Sequence, residues 1–138
     1  MNDQFMKAIL NVLVTADRLS HSTNTALKPF GISKEQFNVL RILRGQKGIP
    51  VSLHLITERM ISRTSNATRL VEKLRLKELI ERTQCSTDRR QIDVVITQAG
   101  LELLKELDPL MKQNGENMRN LTEPESEQLN LLLDKMRG

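Results

Sequence analysis

Between residues 52 and 97 the sequence changes its hydrophobic period once, from helical to strand-like, and that order constrains the fold more than any other feature. Ser52 precedes a short apolar stretch with Leu53, Ile56 and Met60, a capped helix. Ile61-Ser62 separates it from Ala67, Leu70, Val71 and Leu74, which recur at i, i+3, i+4 and i+7. Two short helices joined by a tight turn are therefore expected, the second beginning near Ser62. Beyond them, Ile80 to Cys85 and Ile92 to Thr97 alternate with a period of two, as strands do. The intervening Ser86-Thr87-Asp88-Arg89-Arg90-Gln91 makes the second unit a β-hairpin with two arginines at its tip.

The flanks are helical. From Asn2 to Leu27, Phe5, Ile9, Val12, Leu13, Ala16, Leu19, Thr23 and Leu27 lie three and four apart, one face of a long helix that stops before Pro29. Ser33-Lys34-Glu35-Gln36 reads as a capping box opening a helix through Phe37, Leu40 and Leu43 to Gly45. Ile49-Pro50-Val51 is extended and belongs at a sheet edge, because Pro50 has no amide to donate. Leu101, Leu104, Leu107, Met111, Met118 and Leu121 form a further stripe, with a kink or break expected at Pro109 and Gly115. Thr122 to Glu125 caps a last helix carrying Leu129, Leu132, Leu133 and Met136.

With 138 residues, the chain holds one compact unit plus helical extensions. It has no apolar run long enough to span a membrane and no basic-then-apolar leader, so a cytoplasmic location with no membrane partner is expected. Cys85 is the lone cysteine, which excludes an intrachain disulfide; it reads as a small strand residue or, more sharply, as a redox sensor. The net charge of +4 is unevenly spread. Residues 59–90 hold nine bases against four acids, a net +5, whereas residues 91–138 hold five against nine, a net −4. A concentration of positive charge over the two-helix and hairpin segment suits a polyanion.

If Ala67, Leu70, Val71 and Leu74 face the core, a helical wheel puts Ser62, Ser65, Arg69, Glu72 and Lys73 on the opposite face, with Asn66 and Thr68 flanking and Arg63 on the core side. Short hydroxyl and amide groups plus one arginine can bond base edges and phosphates while letting the helix enter the major groove. A solvated helix face is the plainer reading of the same residues. What favours the first is the basic hairpin that follows, a loop suited to the backbone or the minor groove. Asp88 stands two residues from Arg90, placed either to hold its guanidinium or simply to shape the turn.

Asp88-Arg89-Arg90-Gln91-Ile92-Asp93-Val94-Val95-Ile96-Thr97-Gln98-Ala99-Gly100 resembles the D-x-R-x-x-x-V-x-L-T-x-x-G wing signature of the MarR family of winged-helix regulators, with Ile96 in place of leucine. Thr68 to Leu74 and Leu79 to Arg82 resemble that family's recognition helix and first wing strand. Glu78 departs from the pattern, standing where glycine usually ends the helix. The resemblance runs over nearly the whole chain in helix order, and its specific part is about residues 61–100. It implies a mainly α fold with a small β-hairpin wing, with residues 31–97 forming the winged helix-turn-helix part. Residues 1–30 and 98–138 would be dimerisation helices within a single domain.

The resemblance further implies a homodimer on double-stranded DNA, repression, and a small-molecule effector. Thr68 and Arg69 would then read the major groove, with Ser62, Ser65, Asn66 and Lys73 beside them. Arg82 would touch the backbone, and Arg89 and Arg90 would form the wing, with Arg90 in the minor groove and Asp88 orienting it. Phe5, Ile9, Val12, Leu129, Leu132, Leu133 and Met136 are expected at the dimer interface, because these stripes exceed what a small winged unit covers. With only Phe5, Phe30 and Phe37 aromatic, an aromatic-lined effector pocket would be small.

No enzyme, cofactor or metal is expected. His21, His54 and Cys85 have no recognised ligand spacing, and His21 reads as a surface partner of Asp17. Glu72, Glu78 and Glu81 read as surface ion pairs. A winged helix that binds protein or RNA and a purely structural helical dimer remain the alternatives.

Overall fold

The computed structural model describes residues 3–117 and 119–138. Asn2, the expected first helical residue, and Met118, expected on the C-terminal stripe, lie outside the described residues. Helix α1 (Gln4–Leu27) begins where the Asp3 carboxylate accepts the Phe5 and Met6 amides and ends in a 3-10 turn, Lys28–Phe30, closed by Gly31 at φ 70°. Helix α2 (Lys34–Gly45) carries the full capping box: the Ser33 hydroxyl accepts the Gln36 amide, and the Gln36 side chain accepts the Ser33 amide at 3.0 Å.

Strand β1 (Val51–Ser52) leads directly into α3 (Leu53–Arg59), whose first turn Ser52 caps, and α4 (Ala67–Leu76) follows after a seven-residue turn. Strands β2 (Ile80–Gln84) and β3 (Ile92–Ile96) pair antiparallel in the register Ile80 to Ile96 and Gln84 to Ile92. The sheet order β1-β3-β2 puts the strand after Pro50 at an edge, as its missing amide requires. Of the alternating residues, Ile80, Val94 and Ile96 are buried, whereas Gln84 and Ile92 near the tip are exposed: the hairpin leaves the core as it extends.

Helix α5 (Gln98–Asn117) continues through Pro109 and Gly115, so of the kink or break expected there the break does not occur. Proline removes one amide donor and crowds the preceding turn. Here the flanking residues are held independently, Leu107 in the core and Asp108 by the Arg44 guanidinium through two bonds of 2.8 and 3.1 Å. Helix α6 (Glu123–Arg137) opens on a second capping box, between Thr122 and Glu125.

The core is built on α2, α3, α4 and the sheet, with Leu40, Leu43, Ile56, Leu74, Ile80 and Val94 fully or nearly fully buried. It does not stop at residues 31 and 97 as expected. Leu27 of α1 and Leu104 and Leu107 of α5 belong to the same cluster, so the first half of α5 is part of the winged unit's packing. Thr97 and Gly100 show why their spacing matters. The Thr97 hydroxyl donates to the Glu78 carbonyl at 2.8 Å and accepts the Gly100 amide at 3.1 Å. A Cβ on Gly100 would stand 2.4 Å from the Leu79 carbonyl oxygen, a contact that no side chain allows. Among the described residues no helix is long and apolar enough to cross a membrane.

Candidate nucleic-acid interface

The chain between α3 and α4 carries the residues expected to read DNA, and its course differs from the helical wheel. Helix α4 begins at Ala67, because the Asn66 side chain accepts the Arg69 amide at 3.1 Å and so ends the helix there. Ser62 to Ser65 form a turn instead, closed by the Ser65 amide on the Ser62 carbonyl (3.2 Å) and by a 3.0 Å contact between the Ser62 and Thr64 hydroxyls. Three corrections follow. Ser62 and Ser65 present their hydroxyls from the turn rather than from a helix face. The Asn66 side-chain oxygen is occupied in capping. Arg63, which the wheel put on the core side, is exposed. Had the Asn66 cap rule been applied to the sequence, this boundary would have been found.

Within α4 the wheel holds: Ala67, Val71 and Leu74 are buried, and Thr68, Arg69 and Lys73 are exposed on the other side. With Ser62, Ser65, Asn66, Arg69 and Lys73 along one side and Ser33 and Glu35 of α2 along the other, an open groove of about 520 Å³ runs beside the helix. Glu72 is not a free member of the reading face. Its carboxylate takes two bonds from Arg75, at 3.0 and 2.6 Å, and lies 3.5 Å from Arg82 of β2. The Arg75 guanidinium, aided by the charge of Arg82, holds the Glu72 carboxyl below the usual glutamate range. Arg82, expected to touch a DNA backbone, is therefore tethered across to α4, a link invisible in the sequence because it joins two elements.

In the wing, Asp88 shapes the turn rather than holding the Arg90 guanidinium. Its carboxylate accepts the Arg90 backbone amide at 2.9 Å, and its carbonyl accepts the Gln91 amide at 3.1 Å. The Gln84 side chain secures the loop from β2 by donating to the Arg89 carbonyl at 3.0 Å. Both Arg89 and Arg90 are exposed, and among the described residues neither pairs with a carboxylate. The left-handed turn that joins α4 to β2 is made by Glu78 at φ 60°, the position at which the family resemblance leads one to expect a helix-ending glycine. Cys85 follows β2, half-buried, with Sγ 3.3 Å from the Thr87 hydroxyl. His54 pairs with Glu58 at 3.1 Å, while no His21–Asp17 pair forms among the described residues.

Away from this surface, the terminal helices leave apolar side chains uncovered. Phe5 is 85% exposed and Leu132 56%; Ile9, Val12, Leu129 and Met136 are exposed as well, and Leu133 is half-buried. An apolar groove of about 280 Å³ lies between α1 and α6, lined by Val12, Ala16, Leu19, Leu129 and Leu133.

Known proteins fit this arrangement. The model of the MarR family matches residues 32–92. The transcriptional repressor MprA of Escherichia coli K12 is 30% identical over 92 residues, 67% of this chain and 52% of that protein, so the chain spans about half of MprA's length. A MarR transcription factor from Planctomyces limnophilus superimposes with a TM-score of 0.75 at 28% identity, over 99% of this chain and 98% of its own. BpsR of Bordetella bronchiseptica, whose DNA binding is regulated by 6-hydroxynicotinic acid, shares the fold at a TM-score of 0.85 and 23% identity, over 99% and 98% of the two chains.

Proposed function

This chain belongs to the MarR family of transcriptional regulators, and on that premise we propose that it is a cytoplasmic, sequence-specific binder of double-stranded DNA that represses transcription as a homodimer. The observation that carries this reading is the joint exposure of Thr68, Arg69 and Lys73 on α4 and of Arg89 and Arg90 at the hairpin tip, two separate cationic elements of one rigid unit. The helix has the short polar surface that a major groove admits. The wing arginines suit the minor groove, where a narrow groove strengthens the negative potential.

The uncovered stripes of α1 and α6 support the dimer. A two-fold axis would bury both stripes at once and present two recognition helices to half-sites about one DNA turn apart, hence a pseudo-palindromic operator. For the effector, the regulation of BpsR by a small heterocyclic acid supports a small molecule. A cavity of about 350 Å³ between α1, α2 and the turn before α4 offers it a place, with apolar Leu19, Met60 and Ile61 and polar Thr23, Lys34 and Asn38 in its walls.

Selection of bound sequences from random duplex tests the proposal directly: the enriched site should be a palindrome. Titration onto one duplex at rising salt should show affinity falling linearly in log salt, with a slope of about 0.9 per phosphate neutralised. Binding that ignores salt would sink the DNA reading.

A further inference from the structure

Among the described residues, one side-chain hydrogen bond joins α2 to the turn that carries Ser62 and Ser65, next to the buried Met60. The Asn38 side-chain oxygen accepts the Ile61 amide at 2.9 Å, across 23 residues of sequence. Ile61 is 87% exposed, so its own side chain contributes little to holding the turn in place. On the far side of that turn, α4 is held to the same region by Lys77, whose ammonium donates to the Gly31 carbonyl and reaches the Gln36 oxygen at 3.4 Å. The recognition segment is thus attached at both ends to α2 and the loop before it, and Asn38 is the attachment nearest the residues expected to read DNA.

We infer that Asn38 is a positioning residue for sequence reading: it fixes the turn so that the Ser62 and Ser65 hydroxyls stand beside Arg69. The inference rests on the DNA-binding reading above. It also ties that reading to regulation, because Asn38 lines the cavity between α1 and α2, and Glu35, Ser62 and Ser65 line both that cavity and the reading groove. A molecule in the cavity touches the wall that DNA touches from the other side, and Asn38 is the polar group whose bond holds that wall. A preformed turn spares DNA binding the cost of ordering it, which favours affinity for the correct site over random duplex.

The test compares Asn38→Leu, which keeps the branching at Cγ and removes the acceptor, with Asn38→Asp, which keeps an acceptor. Asn38→Leu should exchange its Ile61 amide hydrogen faster than wild type, and it should bind the selected operator roughly five- to tenfold more weakly, the size of one net hydrogen bond. Its affinity for random duplex should stay near wild type, and its melting temperature should fall by no more than the few degrees that one hydrogen bond is worth. Asn38→Asp should retain the protection and, because its added charge weakens all duplex alike, keep the ratio of operator to random-duplex affinity within about twofold of wild type.

Unchanged Ile61 exchange in Asn38→Leu overturns the inference, as does faster exchange without any loss on the operator. Equal losses on operator and random duplex also overturn it, since a misplaced reading turn affects only the former. If wild type itself shows no sequence preference, the DNA reading falls instead, while amide exchange still decides whether Asn38 anchors the turn.

Discussion

The winged unit and the terminal helices are built from the same kind of pattern and end in opposite states. In α2 and α4 the residues at three- and four-residue spacing, Leu40, Leu43 and Leu74 among them, are sealed against the sheet. In α1 the same spacing leaves Phe5, Ile9, Val12 and Leu13 in solvent; of its residues only Leu27 is buried, and α6 buries none. Helical periodicity therefore marks a face that wants covering without saying what covers it. The winged unit closes on itself because the sheet supplies a second layer, whereas among the described residues the exposed stripes of α1 and α6 have no such layer over them.

The sharpest way to break this contrast is to charge the uncovered faces. Ile9→Asp combined with Leu132→Asp should abolish the dimer in sedimentation while the winged unit still unfolds cooperatively; a surviving dimer would mean these stripes are not the interface. Within the closed unit, Leu74→Ala should cost about 2–5 kcal/mol in urea denaturation, as a cavity in a sealed core does. A cost below about 1 kcal/mol would show that the core is looser than its burial indicates.

On the surface of the same unit, Arg69→Ala should leave the dimer mass unchanged and weaken operator binding by about 1–3 kcal/mol with relaxed preference, while Arg89→Ala weakens all sequences alike. Smaller again is Glu78→Gly, which should stabilise the protein by up to about 1 kcal/mol, because glycine adopts the left-handed conformation at φ 60° without steric cost.

The smallest effect compares one carboxylate from each region. Hydrogen bonds from Arg75 hold Glu72 below the ordinary glutamate range, and the backbone and hydroxyl of Thr122 do the same for Glu125. Both groups favour the folded state when ionised. Their contribution is present above the unfolded value and is lost as pH falls through the folded one. Carboxyl titration by NMR should place both midpoints below the ordinary glutamate value.

Much of this was legible in the chain because it is local. Both capping boxes, the Ser52 cap, the edge strand after Pro50 and the hairpin with its arginine tip depend on residues a few positions apart. The exposed Thr68, Arg69 and Lys73 followed from periodicity alone. Periodicity puts the start of α4 too early, near Ser62, because it does not register the Asn66 side-chain cap, which outcompetes continued helix.

Sequence by itself determined the elements, their order and the positive charge centred on residues 59–90, since period, caps and charge are properties of neighbours. Tertiary structure alone decided which polar groups meet. Glu72 ties Arg82 to α4, the Arg44 guanidinium of α2 pairs with the Asp108 carboxylate beside Pro109 of α5, and Asn38 holds the turn ahead of α4. Each of these bonds joins elements whose separation along the chain carries no periodic signal, and only packing of the core brings them within reach.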